Sequence, residues 1–254
     1  MSAYKSNPMK KSIPGFLLAI TLISLFSFAT GTRIDKWNTD ISSSINHKRH
    51  LIGSNSTQIH TFYKQLSLAS TGLSENVFAL AYLGFEKLNK LGRTSSDSIL
   101  TIIDFTKSSS EKRMVVVDLK QQKILFNTVV AHGRNSGMEF AKAFSNRTNS
   151  HQSSLGFYLT GDPYIGSNGY SLQLTGMEPG FNDKAYERAI VIHGADYANE
   201  SFIHANGFLG RSYGCPALPT KISTKLINKI KKGNLLFIYY PDSKYLNGSE
   251  IING

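Results

Sequence analysis

A single cysteine among 254 residues excludes any internal disulfide, so the fold has to be held by packing. Acidic residues are also scarce. Asp plus Glu number 17 against 28 Lys plus Arg, a net charge of +11 that implies an anionic partner. Nucleic acid is excluded as that partner: the basic residues are dispersed, and no helix-turn-helix, zinc-finger or RNA-binding signature accompanies them. A polyanionic cell envelope fits the charge better. No internal repeat occurs, and no long linker interrupts residues 98–245. With 41% hydrophobic and 11% aromatic residues, the chain is globular, not disordered.

A full-length membrane span is missing too. The apolar core Phe16–Phe28 is short of the ~20 residues a bilayer needs. It follows Lys5, Lys10 and Lys11 and is followed by Ser27-Phe28-Ala29, small residues that a signal peptidase prefers. Residues 1–30 therefore read as a cleaved signal peptide or, alternatively, an N-terminal membrane anchor through residues 13–29. Either way the body is expected outside the inner membrane, in the periplasm or cell envelope. No cysteine lies near the cleavage site, which excludes a lipid anchor there. Removing the leader still leaves about +8. Residues 31–60, rich in Ser, Asn and charge, read as a flexible polar linker. Its His47-Lys48-Arg49-His50 stretch reads as solvated surface, so no metal is expected.

Residues 61–97 form a helical lead. Ser74 can cap a helix from Glu75 to Leu91, whose Val77, Phe78, Ala81, Tyr82, Phe85 and Leu88 recur at three- and four-residue intervals. Gly92 suits the left-handed position after it. A shorter helix is expected over Phe62–Leu68. From Ile99 the pattern becomes β-branched and aromatic. Strands are predicted at 99–105, 113–119, 123–130, 156–160, 170–174, 189–193 and 235–240, and a helix at Thr220–Lys232 ending at Gly233. The class is α+β: a β-rich domain over 98–245 with a few packed helices, then a C-terminal tail at 246–254.

The lone cysteine lies in Arg211-Ser212-Tyr213-Gly214-Cys215-Pro216, 22 residues after the histidine of Ile190-Val191-Ile192-His193-Gly194. A thiol needs a base to attack near neutral pH, and a glycine-framed turn lets backbone N–H groups reach an oxyanion. Buried free cysteines are often merely structural. Here a polar, permissive turn frames the thiol, and an exported thiol without a purpose invites oxidation. Cys215 thus reads as a nucleophile and His193, at a strand tip, as its base. His132-Gly133 repeats the strand-then-His-Gly pattern and is expected to line the same cleft.

His193-Gly194 followed by Ser212-x-Gly214-Cys215 resembles the signature of the YkuD-type L,D-transpeptidases, cysteine enzymes that act on bacterial peptidoglycan. Residues 130–137, 153–158 and the run from Leu100 to Pro241 are similar to the branch called murein L,D-transpeptidase catalytic domain proteins. The resemblance implies mostly antiparallel sheets, no metal or organic cofactor, and peptidoglycan stem peptides as partners. It also implies that Cys215 takes the acyl group of a donor stem with release of D-alanine, then passes it to an amine of a second stem. The Gly194 carbonyl would orient His193, and amides near Tyr213, Gly214 and Cys215 would hold the oxyanion. Arg211, Ser212, Tyr213 and His132 are expected at the substrate. Two positions depart from the family: Tyr213 replaces a basic residue or histidine, and Ala217 an Arg or Asn, so Arg211 reads either as a displaced positive charge for a stem carboxylate or as a structural salt bridge within the loop. The long His193–Cys215 interval implies an enlarged loop over 197–209 that can act as a lid. An L,D-carboxypeptidase or endopeptidase on the same substrate remains an alternative, as does a noncatalytic wall-binding domain. A papain-like peptidase is disfavoured because its cysteine precedes its histidine.

Overall fold

The computed structural model describes residues 56–95 and 98–254. The leader, the 13–29 anchor and most of the expected linker lie outside the described residues. Within them, no helix is long and apolar enough to cross a membrane. Residues 56–60, expected in the linker, instead open a helix, α1 (Ser56–Gln65), that buries Ile59. A 3-10 turn (Leu68–Thr71) leads to α2 (Glu75–Lys90). Ser74 caps α2, accepting from the Val77 amide at 3.3 Å.

Eight strands follow: β1 (Ile99–Asp104), β2 (Met114–Asp118), β3 (Lys123–Thr128), β4 (Gly156–Gly166), β5 (Gly169–Gly176), β6 (Val191–Ala195), β7 (Ala217–Pro219) and β8 (Leu235–Tyr239). They make one mixed sheet in the order β3-β2-β1-β8-β4-β5-β6-β7. Five pairings are antiparallel, while β1–β8 and β6–β7 are parallel. The sheet curls. Just past β3 the Ala131 amide donates to Ala217 O of β7 at 2.8 Å, joining the two ends of the strand order. At that seam Val129, Ala131, Ala195, Ala198, Leu209 and Ala217 pack as a small cluster of their own.

α2 contributes its buried face to the main core. Phe78, Tyr82, Phe85 and Leu88 are buried with Leu100, Phe157 and Phe237 of the sheet. Gly84 allows the close approach: a Cβ there would lie 2.1 Å from the Phe157 ring, which stacks on Phe237 at 4.3 Å. The C-terminal residues are likewise ordered, as α5 (Ser243–Gly248) and α6 (Glu250–Asn253). Buried Glu178 holds them, accepting from Tyr245 Oη at 2.9 Å, from Ser249 Oγ, and from the Phe157 amide of β4 at 2.8 Å. Between β6 and β7 the chain forms a 3-10 turn (Asp196–Ala198) and α3 (Glu200–Asn206), and α4 (Thr220–Ile230) packs its Leu226, Ile227 and Ile230 inward.

Candidate functional site

His193 sits in the middle of β6, not at its tip, because Gly194 and Ala195 continue the pairing with β7. Its partner in register is Ala217. Cys215 precedes β7 by two residues and lies outside it, and its Sγ accepts from the Val191 amide of β6 at 3.5 Å, which sets the thiol against the start of the strand that carries the imidazole. His193 Nδ1 donates to Gly194 O at 3.0 Å, which leaves Nε2 as the free basic nitrogen. Gly194 has to be glycine: a Cβ would lie 2.6 Å from Ser223 Oγ of α4.

The turn before Cys215 is fixed from within. Ser212 Oγ donates to Cys215 O at 2.6 Å and accepts from the Gly214 amide at 3.0 Å. Gly214 has φ +124°, where a side chain is strained, and a Cβ would lie 2.9 Å from both Gln152 O and Ile190 Cδ1. Its carbonyl accepts from Ser153 Oγ at 3.1 Å. The Gly214 amide is therefore already spent, whereas those of Tyr213 and Cys215 donate to no acceptor among the described residues. Of the three amides expected to face an oxyanion, these two are the free ones.

Cys215 is 9% exposed. Its Sγ donates to Ala189 O at 3.7 Å and accepts from the Val191 amide at 3.5 Å; no hydrogen bond joins it to His193. Burial pushes the thiol above its usual value, with the Val191 amide and the Arg188 charge opposing that shift. Burial pulls His193 down, against the Gly194 carbonyl. Both groups rest neutral at pH 7. Arg188, which the sequence reading did not single out, lies behind the turn and donates to Gln152 O at 2.7 Å, Ser145 O at 2.9 Å and Ser150 Oγ at 3.1 Å. It falls in a charged stretch of turns, where an arginine reads as solvated surface.

His132 does not reach a substrate, contrary to expectation. It is fully buried, its Nδ1 accepting from Arg113 Nη2 at 2.8 Å and its Nε2 donating to Gly137 O at 3.3 Å. Its backbone carbonyl accepts from the Ser212 amide at 3.0 Å, so it supports the turn from beneath. Ser212 is also buried, its hydroxyl occupied as above, which makes it a positioning residue instead of a surface for ligand. Tyr213 is 64% exposed, with the Arg134 guanidinium 5.7 Å from its ring and the His151 ring 4.5 Å away. Arg211 Nη1 donates to Gly137 O at 3.3 Å and to Met138 Sδ at 2.8 Å. The expected lid is tied at both ends: Thr220 N donates to Asn199 Oδ1 at 3.1 Å, and Gly210 N donates to Tyr197 O at 2.8 Å. Among the described residues no group of three His, Cys, Asp or Glu could hold a metal ion.

A buried thiol just before β7 and a tautomer-fixed imidazole on β6 of a curled mixed sheet define a class of cysteine–histidine domain. The chain belongs to the L,D-transpeptidase catalytic domain family, whose model YkuD_2 matches residues 69–239. That match takes in α2, so the family's domain begins well before residue 98. No curated protein matches. Solved structures similar to this chain include an L,D-transpeptidase from Mycobacterium smegmatis, at 11% identity and a TM-score of 0.36 over 56% of this chain and 59% of that one. The helical cell shape determining protein Pgp2 from Campylobacter jejuni is similar at 16% identity and a TM-score of 0.37, over 57% and 48%. An Enterococcus faecium L,D-transpeptidase variant matches at 14% identity and 0.36, over 57% and 53%. The chain thus spans less than two thirds of each of these proteins.

Proposed function

We propose that the protein is an exported, cysteine-dependent L,D-transpeptidase that joins peptidoglycan stem peptides. The observation that carries this is the His193 ring, fixed through Nδ1 by Gly194 O with Nε2 free, on the strand whose Val191 amide donates to Cys215 Sγ at 3.5 Å. Because thiol and imidazole both rest neutral, proton transfer to His193 Nε2 accompanies attack of Sγ on the carbonyl of the L-centre of diaminopimelate in a donor stem. The free amides of Tyr213 and Cys215 stabilise the resulting oxyanion. The tetrahedral adduct collapses, His193 returns the proton to the leaving nitrogen, and D-alanine departs from a Cys215 thioester. An amine of a second stem then attacks the thioester, gives its proton to His193, and restores the thiol.

The leader supports export, and the basic balance supports attraction to a polyanionic wall. The test is chromatographic analysis of products from a disaccharide-tetrapeptide. Cross-linked dimer together with free D-alanine is expected. Tripeptide without dimer would make the protein an L,D-carboxypeptidase, and no turnover would make it a wall-binding domain.

A further inference from the structure

Behind the turn that carries Cys215 stands Arg188, a half-buried cation that the reaction above does not use. We propose that Arg188 is a positioning residue for the nucleophile: it braces the Ser212–Cys215 turn through residues 145–154 and sets a fixed positive charge near the sulfur, where negative charge develops during attack. The inference rests on the reading of Cys215 as acyl acceptor and adds to it the group that readies the thiol.

Geometry is the first argument. The guanidinium donates through Nη1 to Ser145 O at 2.9 Å and to Ser154 Oγ, and through Nη2 to Ser150 Oγ at 3.1 Å and Gln152 O at 2.7 Å. This segment needs a brace, because Asn149 and His151 hold φ of +59° and +54°, left-handed values that carry strain outside glycine. It meets the turn directly. Ser153 Oγ donates to Gly214 O at 3.1 Å, and a Cβ at Gly214 would lie 2.9 Å from Gln152 O and 3.4 Å from Nη2 of Arg188 itself. The next residue, Ala189, is also left-handed at φ +52°, and its carbonyl accepts from Cys215 Sγ at 3.7 Å. Charge is the second argument. All four acceptors of Arg188 are neutral, and among the described residues no carboxylate pairs with it. Its charge is left to act on the ionisable groups that face it, Tyr158 and Cys215. Tyr158 is fully buried, and burial holds its phenol protonated. Tyr197 also faces Cys215, with burial pushing its phenol up to about 12, and His193 on β6 rests neutral. Arg188 is thus the cation that faces the sulfur. A neutral donor could brace the segment equally well; only a cation favours negative charge on a thiol.

The test is alkylation of the full chain by iodoacetamide across pH, followed by intact mass, for the parent protein, Arg188→Gln and Arg188→Lys. A single cysteine makes the adduct unambiguous, and the reagent needs no stem peptide. Glutamine keeps an amide donor and removes the charge, so the midpoint of the profile is expected to rise by about one pH unit and alkylation at pH 7 to slow about tenfold. Lysine keeps the charge and loses the fork, and its midpoint is expected to stay within about half a pH unit of the parent's. A brace with no electrostatic part would slow the reaction and leave the midpoint in place. An unmoved midpoint in folded Arg188→Gln therefore overturns the proposal, as does a lysine midpoint displaced as far as about one pH unit. The lysine arm decides alone if the glutamine variant does not fold. D-alanine release from a tetrapeptide, measured beside it, separates the two readings: a midpoint that moves as expected while the parent releases no D-alanine overturns the transpeptidase reading and upholds the role of Arg188 at the thiol.

Discussion

Replacing His193 with alanine is expected to slow acylation of Cys215 about 10²–10⁴-fold at pH 7, the range a positioned general base supplies. Burial holds the thiol above its usual value and the imidazole below its own, so no thiolate–imidazolium pair stands ready. The thiol instead donates to the Ala189 carbonyl. It must leave during attack, and Nε2 is the nitrogen that Gly194 keeps free for it. Without His193 only water or hydroxide can take that proton. The rate in the variant is then expected to climb steadily with pH toward the thiol's own titration, whereas the parent protein gains its rate at lower pH. The check is D-alanine release against pH for both proteins. An unchanged rate at pH 7 would contradict the assignment.

Arg113→Ala is expected to cost about 1–3 kcal/mol of stability, the range for leaving buried hydrogen-bonding groups unmet. Arg113 is 1% exposed, and among the described residues no carboxylate pairs with it. Its donors go to Val130 O at 3.0 and 2.7 Å, Lys107 O at 3.0 Å and His132 Nδ1, and the guanidinium lies 4.8 Å from the Phe105 ring. Truncation leaves these acceptors buried and unmet. The damage also reaches the site, because the 130–132 strip closes the sheet onto β7 and holds Ser212. Activity is therefore expected to fall even where the variant is fully folded. The same contact sets an acid limit. Burial, and after it the Arg113 charge, pulls His132 down to about 3 from the ordinary 6.5. The unfolded chain thus binds the proton more readily. His132 contributes its full stability above pH 6.5 and loses it as pH falls toward 3. Urea unfolding across that window should show the loss, and His132→Gln should flatten it.

The residues to which the chemistry is assigned were legible because they declare themselves locally. Cys215 sits in a turn of Ser, Gly and Pro, and His193 ends an apolar run; neither needs the fold to be noticed. The long strands were legible for a related reason: runs such as Ile99–Asp104 and Met114–Asp118 are buried throughout, and β-branched sequences fit that environment. What escaped was set by distant contacts. β7 has three residues, Ala217–Pro219, and exists only because β6 offers a parallel edge beside it. Residues 246–254 read as a tail, and they fold as helices because Glu178, far earlier in the chain, binds Tyr245 and Ser249. α2 reads as an amphipathic lead; only the sheet reveals that Gly84 was left small for Phe157. Arg113, Arg188 and His132 were misjudged or missed because a basic residue in sequence reads as solvent-facing, and partners 17 to 43 positions away bury it.

The central claim, that Cys215 accepts the acyl group, is tested most directly by intact-protein mass spectrometry of the enzyme mixed briefly with a tetrapeptide donor and no acceptor, followed by peptide mapping. A single adduct equal to the donor less D-alanine, mapped to Cys215 and lost in Cys215→Ala, is the predicted result. D-alanine released with no adduct at Cys215, or release that persists in Cys215→Ala, would contradict the account.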